Sequence, residues 1–247
     1  MMRKIDSHFG HFLLDFIYTQ MEDTKIEIRP LNLQSIMQDM GKGFLRIPRF
    51  QRDYVWERQR VANLFDSIYH EFPIGSFFLW ITPREYRHLF KDIPELLIPH
   101  PAEYEQIKMI LDGQQRITSL FVSINGLSLS SNGANKKDYK KICFDLDEKK
   151  FLVAKKSEDR ERIISVWRFF NREGQNEIYD NLTKERRVVF IDCQRKLTTY
   201  PISLVEVKDK DLDDAVTIFE RINQGGKRLN LFDLVVAGTW SPNFDLK

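Results

Sequence analysis

The chain has 247 residues, and its 38 Lys and Arg stand against 36 Asp and Glu for a net charge of +2. That balance excludes a uniformly basic nucleic-acid protein, although a local basic groove is compatible with it. The 42% hydrophobic share and 19 Phe exclude a disordered chain and suffice for one large core, or for a domain with an appendage.

Residues 1–25 carry mixed charge and read as an N-terminal extension. A short strand is expected at 26–28, then a helix over 32–39 with Leu33, Ile36 and Met37 on one face. Gly41 and Gly43 end that helix, and residues 44–47 read as extended before Pro48. In 56–72, Val61, Leu64, Phe65 and Ile68 recur at i, i+3, i+4 and i+7, the mark of an amphipathic helix. Residues 76–81 read as a buried strand, 82–105 as a charged loop or insertion, and 106–111 as a second buried strand. A helix is expected over 114–124 and is stopped by Asn125-Gly126. Residues 141–146 and 151–154 form a hairpin about a polar turn, and a short helix is expected near Trp167. A helix over 184–197, an alternating strand over 200–207 and a helix over 211–223 follow. In the last of these Leu212, Ala215, Val216, Phe219 and Ile222 should face inward, and Asn230 can cap one more helix. Residues 26–240 therefore read as one domain, and 241–247 as a tail at a truncation.

Three motifs can carry chemistry. In the run from Ile110 to Thr118, an apolar strand ends in Asp112-Gly113 and turns straight into a helix. The first N–H groups of such a helix lack internal partners and favour an anion. Gly113 permits close approach of a phosphate, and Arg116 can grip one with two hydrogen bonds. Asp112 can hold Mg²⁺ or orient a water, and Gln114 and Gln115 can position a water or a sugar hydroxyl. The plainer alternative is a capped turn with a solvated polar face.

The second motif alternates aromatic and cationic residues from Ile47 to Trp56. Tyr54 and Trp56 can stack a base, while Gln51 and Arg52 reach its polar groups and phosphates. A hydrophobic plug explains the same pattern equally well. The third motif places Glu220 and Asn223 three apart on one helix face, followed by Gly225, Gly226 and Lys227. These residues can meet a metal or a phosphate, and a double-glycine helix end is the alternative.

Other chemistries are absent from the sequence. The five histidines form no HxxxH cluster, and no GxxxxGK[ST] or GxGxxG run occurs. Cys143 and Cys193 form no CxxC and read as separate thiols in a reducing cytoplasm. The apolar stretch 12–18 is too short to span a bilayer and lacks a signal-peptide cleavage site.

The order IPxxQRxYVW, PIGS, LDGQQRxTSL and FxRINxGGxxL resembles the N-terminal domain of GmrSD-type restriction systems over about residues 26–237. The resemblance implies an α+β fold with a ParB/sulfiredoxin-like core, a small mixed sheet with packed helices and a helical C-terminal part. It further implies binding and Mg²⁺-dependent hydrolysis of an NTP (GTP, ATP, CTP or UTP), coupled to restriction of modified or foreign DNA and so to phage defence. With the motif chemistry and that pattern together, Asp112, Gln115, Arg116 and Glu220 are the catalytic candidates. Gln51, Arg52, Tyr54, Trp56, Gly113, Gln114, Asn223, Gly225, Gly226 and Lys227 are the nucleotide-binding candidates. The HNH nuclease half common in the family has no counterpart here, so a partner nuclease domain or subunit is expected. A non-hydrolysing, nucleotide-switched module that binds DNA or protein uses the same residues, so the motifs do not separate the two. A subunit with a vestigial pocket fits less well, because the charged motif residues are intact. Lysine pairs around the hairpin can track DNA phosphates or act as solvated edges.

Overall fold

The computed structural model describes residues 25–102, 106–130, 135–155, 161–171 and 178–223. Strands β1 (Ile26–Asn32), β2 (Leu45–Arg46), β3 (Phe77–Ile81), β4 (Lys108–Asp112) and β10 (Pro201–Val207) form one mixed sheet in the order β1-β10-β3-β4-β2. β1 and β10 run antiparallel along their whole length, from Ile26 opposite Val207 to Asn32 opposite Pro201. β10 is parallel to β3, β3 antiparallel to β4, and β4 parallel to β2.

Helices cover both faces of this sheet, which is why β3 and β4 read as continuous apolar runs rather than alternating ones. On one face Phe77, Leu79, Ile110, Ile202 and Leu204 pack in a core with residues of α1 (Leu33–Gly41), α2 (Arg58–Tyr69), α3 (Gln114–Ile124) and α5 (Lys184–Thr199). On the other, Trp80, Met109 and Leu111 pack with Phe50, Leu89 and the Ala215–Val216 pair of α6 (Leu212–Ile222). Fully buried Glu206 sits among these strands, held by Arg29 at 2.7 Å and Lys108 at 2.5 Å. Removing either cation would leave a buried carboxylate short of a partner.

A smaller sheet of β8 (Lys150–Val153), β7 (Ile142–Asp145) and β9 (Ile163–Ser165) packs beside α2 and α4 (Val166–Phe170). Asp145 is buried at its end and accepts from both Arg162 nitrogens, at 2.9 and 2.6 Å, and from the backbone N–H of Asp147 and Glu148. Burial pushes its pKa up, but these hydrogen bonds outweigh burial and hold it below the usual aspartate value. A depressed folded-state pKa contributes stability above the unfolded value of about 3.9, and that stability is lost as pH falls through the folded value. Urea midpoints at pH 7 and pH 3 should therefore differ less in Asp145→Asn than in the wild type. An unchanged pH difference would count against this carboxylate.

The structure follows the expected elements with instructive departures. The first strand extends to Asn32, which caps α1 by accepting from the N–H of Ser35. α2 begins at Arg58 rather than at Trp56, because Glu57 stays extended as its cap residue. Within 82–102, part of the expected loop or insertion, 3-10 turns at Arg84–Leu89 and Pro94–Leu96 deliver Leu89 to one core and Leu96 to the other. Strand β9 and the pair β5 (Ser128–Leu129) and β6 (Lys137–Asp138) had no counterpart in the expectations. In α6 only Ala215 and Val216 are buried, while Leu212 and Phe219 pack at the edge of the core.

Candidate functional site

β4 delivers the chain to Asp112, and Gly113 turns it into α3 with a left-handed φ of 91°. No side chain caps this helix; its first closing bond runs from the N–H of Ile117 to the Gly113 carbonyl at 2.9 Å. The N–H groups ahead of it carry the positive end of the helix dipole. The side of Gly113 where a Cβ would stand is filled by Phe77, 2.5 Å from that position, and by Arg116 at 3.2 Å. Packing thus accounts for the glycine, and an anion would meet the amide face of the turn instead.

The second motif folds directly onto this turn. Gln51 is buried and donates from Nε2 to the carbonyls of Ile110 and, at 3.1 Å, Leu111. Gln114 donates to the Arg52 carbonyl at 3.0 Å. Gln115 donates to the Asp53 carbonyl at 3.0 Å and accepts the N–H of Val55 at 2.9 Å. The two glutamines therefore latch the 52–55 segment to the head of α3 through its backbone. Buried Tyr54 shares a 2.7 Å hydrogen bond with Ser119, and Ser119 in turn donates to the Gln115 carbonyl. Burial first, then the neighbouring Tyr139, holds the Tyr54 phenol far above its ordinary pKa, so it remains a neutral donor.

Arg116 turns back against the sheet. It donates to the carbonyls of Ile74 and, at 3.0 Å, Ser76, pairs with Asp112 at 3.0 Å, and lies 4.8 Å over the Phe77 ring. Burial lowers its pKa, and Asp112 opposes that shift. Arg52 is different: its side chain is exposed and forms no hydrogen bond or ion pair among the described residues.

The third motif approaches through its first residue. Phe219 meets Phe50 of the second motif edge to face, with centroids 5.5 Å apart, and α6 packs on β4. Glu220 is exposed, and no hydrogen bond or ion pair joins it to the turn. The Asn223 amide donates to the Phe219 carbonyl at 2.8 Å, closing its own helix. Gly225, Gly226 and Lys227 lie outside the described residues. Trp56 is half-buried, with Arg60 4.2 Å over its ring.

Sequence reasoning missed the backbone partners of the glutamines and of Arg116. The only available signal was the run of three long polar side chains at a helix start beside an apolar strand. Among the described residues, no group of three or more His, Cys, Asp or Glu is placed to hold a metal by itself.

The structure is a mixed α/β domain in which two polar motifs lock a strand–glycine–helix turn and a third reaches it through aromatic packing. The chain belongs to the family of GmrSD restriction endonuclease N-terminal domains, whose profile matches residues 33–239, and this ties it to restriction systems. It is also similar to the uncharacterized protein MJ0686 of Methanocaldococcus jannaschii, with 26% identity over 239 residues, covering 83% of this chain and 41% of that protein. The chain thus spans about two fifths of the length of the curated relative it matches. No described helix is long and apolar enough to cross a membrane.

Proposed function

We propose that this domain binds a nucleoside triphosphate at the Asp112–Arg116 turn and hydrolyses it with Mg²⁺ in the service of DNA restriction. One observation carries the reading: the latch from Gln114 and Gln115 to residues 52–55 sets Arg52, whose side chain has no partner among the described residues, beside a helix start that no side chain caps. Oriented amides and a guanidinium are what a polyphosphate requires.

In this reading the α3 amides hold phosphate oxygens, and Arg52 stabilises charge that develops on them during transfer. Gln114, Gln115 and Arg116 are positioning residues, since their polar groups already hold backbone. Asp112 offers one carboxylate, which fits Mg²⁺ because that ion binds through one or two carboxylates together with substrate phosphates and water. Such an ion would polarise the phosphoryl group.

Phosphate release from each of the four NTPs, with and without Mg²⁺, tests the proposal. Arg52→Ala should slow release by about two to three decades, equivalent to roughly 2–4 kcal/mol. Because Arg52 is exposed, the melting temperature should stay where it was. Release at the wild-type rate would remove Arg52 from the mechanism.

The engagement of Gln115 and Arg116 favours a second reading, in which nucleotide is held as a switch and not turned over. Saturable nucleotide binding without phosphate release would select it.

A further inference from the structure

A cationic strip begins where the second motif ends. Arg60 lies over the Trp56 ring, and Trp167 is overlain by Lys140 Nζ at 5.3 Å and Arg168 Cζ at 5.8 Å. Two consecutive residues connect the tryptophans: Tyr139 donates its hydroxyl proton to the Trp56 carbonyl at 3.4 Å, and Lys140 is its neighbour. Lys141 follows this pair in the chain, and Lys136 stands three residues before it.

The strip also contains two carboxylates. Glu57 pairs with Lys137 at 2.5 Å, and Asp138 accepts the backbone N–H of Lys140 at 2.9 Å. Arg60, Lys136, Lys140, Lys141 and Arg168 are left without an ion pair among the described residues. Five cations with no ion pair among the described residues lie where the 56–60, 136–141 and 167–168 segments meet, in a chain whose net charge is only +2. Three of them rest on indole rings, which restricts the side chains before any ligand arrives and reduces the entropy lost on binding.

We propose that this tryptophan-backed strip is a docking surface for the phosphate backbone of duplex DNA. With cations over both rings, the tryptophans support charge rather than offer a platform for unstacked bases, which favours duplex over single strands. The surface acts without nucleotide hydrolysis, so it stands or falls separately from the proposed NTPase.

The test is anisotropy of a labelled DNA duplex titrated with the 247-residue protein, without nucleotide, across a salt series. The triple variant Lys136→Ala, Lys140→Ala, Lys141→Ala should bind about 10–100-fold more weakly, with a salt slope shallower by roughly two to three. A control with equal charge loss elsewhere, Lys42→Ala, Lys184→Ala, Arg195→Ala, should stay within about threefold of wild type. Should the triple variant melt early, Lys136→Glu carries the same comparison from one exposed position. Equal losses in strip and control overturn the proposal. So does a wild type that ignores DNA, including one that binds only anionic phospholipid vesicles.

Discussion

Arg116→Ala should lower the melting temperature by roughly 4–16 °C, from a loss of about 2–4 kcal/mol at about 2–4 °C per kcal/mol for a chain of this size. The guanidinium ties the Ile74 and Ser76 carbonyls and the Asp112 carboxylate together, stacks on Phe77 and keeps only 17% of its side chain exposed. Alanine leaves those acceptors short of a donor and opens space over an aromatic ring. Arg116→Lys should recover less than half of the loss, because an ammonium cannot reproduce the planar fork. Thermal melts of the two variants decide this, and an unaltered midpoint in Arg116→Ala would show that the contacts contribute nothing. Phosphate release in Arg116→Ala is informative only well below its new midpoint. For that reason exposed Arg52 is the better probe of chemistry.

Gly113→Ala should be at least as damaging. A left-handed φ of 91° costs an L-residue about 1–2 kcal/mol, and the new methyl would stand 2.5 Å from Phe77 Cδ1 and 2.9 Å from Cε1. Phe77 is fully buried and cannot swing aside, so overpacking should bring the total to about 3 kcal/mol or more. Gly126→Ala is the matched comparison. Its φ is 61°, and its nearest neighbour is the flexible Lys140 side chain at 3.0 Å. Its cost should be nearer the backbone strain alone, about 1–2 kcal/mol. Denaturant midpoints for both variants would check the order, and a larger loss at Gly126 would contradict it.

The strand–glycine–helix turn was legible in the sequence because local rules determine it: an apolar run, an Asp-Gly break and a 3.6-residue periodicity. α3 runs from Gln114 to Ile124 as the pattern predicts. The nucleotide reading needs the first two motifs to meet, and the glutamine hydrogen bonds show how they do. What could not be read was direction. Arg116 has the composition of a phosphate ligand, yet it turns toward the 74–76 backbone, because sequence spacing does not say which carbonyls lie across a sheet. Glu220 was illegible in the same way: it lies four residues beyond buried Val216 on α6, yet its side chain is exposed, which spacing alone does not say. The short pair β5–β6 and strand β9 were illegible because strands of two or three residues carry no usable periodicity.

The pairing of β1 with β10 has a bearing on how the chain assembles. Arg29 and Glu206, joined across those strands, are 177 residues apart. Until β10 leaves the ribosome, β3 has an open edge where β10 belongs and β1 has no partner among the five strands. The large sheet therefore closes late, when an interior strand enters between β1 and β3 through a contact of very high sequence separation, which makes for slow folding. The helices between can form earlier from local contacts, and the half-built sheet is the stage most exposed to mispairing with other chains.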